Sequence, residues 1–191
     1  MAQLVEEAAG LTRDLLAGEP ERLRHSEGVA RRAEFLTPTV DRDQAPLLVA
    51  AAWLHDIGYA PSLRDSGFHP LDGARYLRSA GWPRVICDLV AQHAGSRFVA
   101  AALGLSEELG DFGYQENRLT DALTVADQTC GPYGRPMTVE ERFEDMLARH
   151  GPHSPLARAH HLRGPYIRGA ARRVTTRLEA SGIDAADHGI F

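Results

Sequence analysis

Apolar residues recur at three- and four-residue spacing along most of the chain, the pattern of amphipathic helices. Leu4 to Ala17 repeats in this way, Glu21 to Leu36 does so again, and Pro38 stops the second run. Asp41 or Asp43 can cap a third helix, in which Pro46 sits early enough to be tolerated. Through Ala50, Ala51, Ala52, Trp53 and Leu54 that helix is apolar on nearly every side, which predicts a buried, central helix ending near Gly58. Leu71 to Ala80 predicts a short helix closed by Gly81, and Pro83 opens the next, Arg84 to His93. Leu119 to Cys130 is a further amphipathic run, followed by a rigid loop with Gly131, Pro132, Gly134 and Pro136. Thr138 and Glu141 have capping-box spacing and open a helix to His150. Ser154-Pro155 starts another segment, and Gly169 to Ala180 reads as an Arg-rich helix. Period-two alternation is essentially missing, so no sheet is expected. The fold class is all-α: one compact helical domain over residues 1–181, with covering helices at 138–181 and a loose tail at 182–191.

Composition narrows the function. A chain of 191 residues buries about 70% of its unfolded surface, so it needs neither a disulfide nor a structural metal merely to fold. Its 21 basic and 26 acidic residues argue against a general nucleic-acid or anionic-membrane binder; no stable nucleic-acid partner and no membrane association are expected, and a homodimer is compatible with the chain. Every basic residue is Arg, so no Schiff-base or phosphate-loop lysine can operate. Cys87 and Cys130 are expected as free thiols. The N-terminus lacks a signal-peptide core and Ala45 to Leu54 is too short to span a bilayer, so a soluble cytoplasmic protein is expected.

The chemistry centres on His55-Asp56. The dipeptide by itself means little, but it ends the most apolar helix, where a charge must be paired or coordinate a metal. His25 lies on the helix before, His69 and His93 on the two segments after, and Asp127 on a later apolar helix beside Leu123, Val125 and Ala126. Packing these helices would aim six side chains at one spot. Imidazole with carboxylate suits one or two divalent transition metals, Mn, Fe, Co, Ni or Zn, rather than calcium. Histidines 150, 153, 160, 161 and 188 read as surface residues.

These segments resemble the HD-domain (HDIG-type) metal-dependent phosphohydrolase superfamily. The resemblance is carried by RHSEGVA at 24–30, AAWLHDIGY at 51–59, HPLDGARYL at 69–77, LVAQHAGSR at 89–97 and LTVAD at 123–127, in that order. It covers a motif core at 24–127 and implies a bundle of the HD-domain type. It also implies that His25, His55, Asp56 and Asp127 are core metal ligands, that Asp56 bridges two metals, and that His69 and His93 are the added ligands of dinuclear members. Asp56 and His55 are the implied catalytic pair. Two departures stand out: Tyr59 where many members have Lys, and Ala94 after His93 where many have a second His.

Arg97, four residues after His93, then Arg64 and Arg135, are the expected phosphate-binding residues, since a guanidinium matches phosphate oxygens two at a time. Asp72 and Gly73 read as a helix start, and Trp53, Trp82 and Phe98 as core. The implied activity is phosphohydrolysis of a small phosphate ester, foremost a nucleotide or dinucleoside polyphosphate. HPxxGAxxL and the late His with Arg four residues on are similar to HD enzymes that split dinucleoside tetraphosphates, although Arg135 falls further beyond Asp127 than in those enzymes. An HD-fold di-iron oxygenase ranks below hydrolysis, because the Lys that some of those enzymes place near the late His is missing. A non-catalytic metal-bound ligand sensor is the third reading.

Overall fold

The computed structural model describes residues 2–184 and 189–190. Among these there are ten α-helices and no strand; Cys130 and Pro136 form one isolated bridge. In order they are α1 (Ala2–Leu15), α2 (Pro20–Leu36), α3 (Ala45–Leu54), α4 (His69–Ser79), α5 (Arg84–Gln92), α6 (Ser96–Leu103), α7 (Ser106–Gly110), α8 (Arg118–Gln128), α9 (Val139–His150) and α10 (Pro155–Ala180). Among the described residues no helix is long and apolar enough to cross a membrane.

The central place expected for the most apolar helix is where α3 lies. It packs against α1, α2, α5 and α8, and Leu48, Ala50, Ala51, Ala52 and Leu54 are fully buried. Its alanines let the surrounding helices approach closely. One apolar cluster lies between α2, α3, α8 and α10, and a second between α3, α4 and α5. Both cysteines are buried and free. Trp53 and Trp82 pack partly buried against these clusters.

Three features depart from the sequence reading. Residues 96–103 form a helix that the motif region had hidden, bounded by Gly95 and Gly104 in the left-handed conformation. Residues 155–180 are one helix that runs straight through Pro165. Proline costs that helix a hydrogen bond, but here the residue is on the exposed side, and the helix is held to α8 by buried Asp121, which pairs with Arg173 and Arg177 at 2.6 and 2.9 Å. The loose tail fails at Ile190, which is buried in the first cluster and whose carbonyl accepts from the Val139 amide at 3.1 Å. Residues 185–188 and 191 of that expected tail lie outside the described residues, as does His188.

Candidate metal centre

Each candidate ligand is delivered by a helix or its end. His25 projects from the first half of α2, His55 and Asp56 follow the last turn of α3, His69 opens α4, His93 follows α5, and Asp127 lies near the end of α8. Two close backbone approaches fix how these elements sit. A Cβ at Gly58 would overlap the His69 carbonyl oxygen, so the His55–Gly58 segment and the start of α4 touch backbone to backbone. A Cβ at Gly28 would lie 2.6 Å from both Cys130 Sγ and Gly134 Cα, so α2 presses on the loop after α8.

The six side chains meet. Asp56 Oδ1 lies 3.5 Å from His55 Nε2 and 3.2 Å from His69 Nε2, while its Oδ2 lies 3.8 Å from His25 Nε2. Asp127 Oδ1 lies 3.1 Å from His25 Nε2 and 3.8 Å from His55 Nε2. His69 and His93 bring their Nε2 atoms to 3.4 Å. Two triples could each hold an ion, His25–His55–Asp56 and Asp56–His69–His93, and Asp56 belongs to both.

The donor chemistry fits metal ions. Nδ1 of His25, His55 and His93 faces the carbonyls of Gly131, Ala52 and Val90 at 2.9, 2.8 and 2.6 Å. A carbonyl can only accept, so each Nδ1 carries the proton and Nε2 is turned inward, the usual outer-shell arrangement of ligating histidines. His55 Nε2 is buried and has no hydrogen-bond partner. An orphaned buried imidazole nitrogen beside two carboxylates is a donor set suited to a cation. The 3.1–3.8 Å donor separations are also those that metal–ligand bonds of about 2.0–2.2 Å impose on neighbouring donors.

Electrostatics favour ligation at three of the four imidazoles. Burial pushes the imidazoliums of His55, His69 and His93 below the ordinary value, which favours neutral, ligating rings. Burial would likewise lower His25, but its hydrogen bond to Asp127 and its contact with Cys130 outweigh burial and lift it to about 10. Burial would raise the Asp56 carboxyl, yet His55, His69 and Arg22 hold it well below the usual carboxylate range. Asp127 is held down in the same way by His25 and His55, and its Oδ2 accepts from Gln128 Nε2 at 2.7 Å.

The centre opens into a cavity of about 520 Å³. Of the arginines expected to serve it, only Arg64 lines it, and its guanidinium is committed to the Tyr59 carbonyl and Glu19. Arg97 does not line it. Its guanidinium lies instead in a cage of Phe98, Tyr114 and Tyr166, at 4.4, 3.9 and 4.5 Å from their ring centroids. The turn at residues 94–95 rotates α6 so that Arg97 faces α10, which defeats a count of four residues from His93. Arg135 is exposed on the loop after α8, also away from the cavity.

Arg22, Arg142 and Arg163 line the cavity instead. Arg22 reaches Asp56 Oδ2 at 3.3 Å and lies 3.9 Å over the Tyr59 ring, which itself stacks on His69 at 4.0 Å. Its position three residues before His25 puts both on one face of α2, a signal the sequence carried. Arg142 and Arg163 come from α9 and α10, where no spacing ties them to the motifs. His150 is exposed, as expected, at the edge of the cavity, whereas His160 is half-buried with its ring 4.7 Å from Phe143 and is not a plain surface residue. His153 and His161 are exposed as expected. Asp72 accepts from the amides of Asp65 and Ser66 at 3.2 and 2.9 Å and so ties down the loop before α4, a structural role.

An all-helical bundle that gathers imidazoles and carboxylates from several helices at a cavity has the donors to hold a metal ion. The family model for the HD domain matches residues 22–147, about two thirds of the chain, and the protein belongs to the HD domain family. Membership suggests a metal-dependent hydrolase, and the buried His/Asp cluster is compatible with divalent metals. Comparison with curated proteins and with solved structures finds no match.

Proposed function

We propose that the protein is a metal-dependent phosphohydrolase that cleaves a small phosphate ester, foremost a nucleotide or dinucleoside polyphosphate. The observation that carries this reading is the orphaned His55 Nε2 in a His/Asp cluster that borders a cavity lined by guanidinium groups. His25, His55, Asp56 and Asp127 would hold one divalent metal, and Asp56, His69 and His93 a second, with Asp56 shared. Held there, divalent metals supply Lewis acidity toward a phosphoryl oxygen and make a nucleophile available at neutral pH.

The remaining work belongs to the chain. Arg22 and Arg142 would orient phosphoryl oxygens and offset the charge that spreads over them during in-line attack by water. Asp56, held ionised by His55, His69 and Arg22, stays available as an acceptor. Tyr59 stays a neutral phenol, because burial and Asp56 push it up to about 12; stacked on His69, it keeps that ring turned toward Asp56.

The test couples metal content to turnover. Protein purified without chelator or affinity metal is measured by elemental analysis and screened against nucleoside mono-, di- and triphosphates and dinucleoside polyphosphates. Two transition metals per chain and hydrolysis of at least one phosphate ester are expected, and Asp56→Ala should lose both together. Turnover retained in Asp56→Ala, or no hydrolysis by a metal-loaded sample, would refute the proposal.

A further inference from the structure

His93 is delivered by a backbone that a residue with a Cβ adopts reluctantly. Ala94, the next residue, has φ 48° and ψ 31°, and Gly95 follows at φ 73°. The left-handed region crowds a Cβ against the backbone, and Ala94 is the one non-glycine residue among those described that occupies it. The flanks are tied down: His93 Nδ1 donates to the Val90 carbonyl at 2.6 Å, and Ser96 Oγ donates to the His93 carbonyl at 2.6 Å. Ala94 itself is held from across the bundle, by Arg163 Nε donating to its carbonyl at 2.8 Å. Helix α10 packs directly on this turn, since a Cβ at Gly95 would meet Tyr166 Cδ1 at 3.1 Å and Arg163 Cγ at 3.3 Å.

Arg163 is 6% exposed, and its Nη1 is buried without a partner. Among the described residues no carboxylate forms an ion pair with it. A guanidinium this buried with no ion-pair partner is expensive; it borders the cavity, and Asp127 acts on it only from beyond ion-pair range. The contact it does make is with the strained residue next to His93.

We infer that Arg163 is a positioning residue that locks the left-handed Ala94 turn and thereby sets His93 for the second metal triple. The inference rests on the reading of His93 as a ligand and adds to it a residue 70 positions further along the chain. A purely structural Arg163 would support α10 and leave metal affinity alone. A positioning Arg163 becomes dispensable for the site once residue 94 can adopt the turn unaided, and glycine can.

The experiment compares wild type, Arg163→Met, Ala94→Gly and the double variant, with circular dichroism as the check on folding. In a manganese titration read by metal retained after desalting, Arg163→Met should weaken the second equivalent by about tenfold or more, the range for loss of an outer-shell contact, and leave the first nearly unchanged. The double variant should recover most of that loss. In chelator-treated protein, Ala94→Gly should raise the Tm of Arg163→Met by more than it raises that of wild type, a coupling that needs no metal. If wild type binds no metal at all, the metal reading fails while the Tm cycle still decides the role of Arg163. Should Arg163→Met fail to fold, Arg163→Lys with and without Ala94→Gly replaces it in both measurements. An unweakened second equivalent in Arg163→Met, no recovery in the double variant, or additive Tm changes would each overturn the inference.

Discussion

Replacing Gly58 by Ala tests whether backbone contact sets the geometry of the centre. The new Cβ would overlap the His69 carbonyl oxygen and lie 2.7 Å from the Gly73 amide nitrogen and 2.8 Å from the His69 carbonyl carbon. All three obstacles are backbone, so no side-chain rotation relieves them and the two segments must separate. Overpacking of this kind costs about 2–3 kcal/mol. For a domain of this size, each kcal/mol lowers Tm by about 2–4 °C, which puts the expected drop at about 4–12 °C. The separation also carries His69 away from Asp56, now at 3.2 Å, so the second metal equivalent should weaken along with stability. Two other glycines calibrate the effect. At Gly73 a Cβ would meet the Gly58 nitrogen at 3.1 Å and Ile57 Cγ1 at 3.3 Å, a milder conflict that one side chain can help relieve. At Gly67 nothing lies within 4 Å, and only its φ of +74° resists substitution, at a cost of about 1–2 kcal/mol. Thermal melts in chelator and elemental analysis after metal loading should rank Gly58→Ala as the most damaging of the three. A Gly58→Ala protein that melts with wild type and keeps its metals would refute the argument that this contact holds the two segments in place.

Arg97→Ala should remove three cation–π contacts and lower Tm while leaving metal content and KM unchanged; a raised KM at unchanged Tm would return Arg97 to the substrate site. Arg22→Met should act in the opposite sense, raising KM or lowering kcat with little effect on Tm, because Arg22 faces the cavity and Asp56; kinetics indistinguishable from wild type would exclude it from substrate binding. His25 titrates higher in the folded protein than its ordinary 6.5, at about 10, so the stability it adds is fully present below about 6.5 and is lost as pH rises through about 10. The Tm gap between chelator-treated wild type and His25→Gln should therefore narrow from neutral toward alkaline pH, and a constant gap would show that His25 does not carry that proton.

The sequence made the His/Asp cluster legible because each member is a polar residue in an otherwise apolar helical stretch, and burial forces such residues to find partners. It made α3 legible for the same reason, since a helix with no polar face can only be central. What it could not convey was rotation about helix axes and the contribution of the later helices. Arg97 sits at an attractive distance from His93 in the chain, but the left-handed turn at 94–95 sends it to an aromatic cage. Arg142 and Arg163 reach the cavity only because α9 and α10 fold back over it, a long-range placement with no local signature. Residues 155–180 form one helix where the sequence offered two segments, and the packing of α10 against α6, α8 and α9 carries it through Pro165.

The carbonyl partners of His55 and His93 carry one more implication. Each ring bonds the carbonyl three residues before it, in the last turn of the helix it terminates. Helices α3 and α5 therefore behave as measuring rods whose length decides where an imidazole nitrogen falls. Adding or deleting a single residue within α3 would swing His55 by about 100° around the axis and carry it off its anchor. Substitutions that keep helix length can be absorbed along these segments, whereas single-residue insertions and deletions should be tolerated only in the connecting loops.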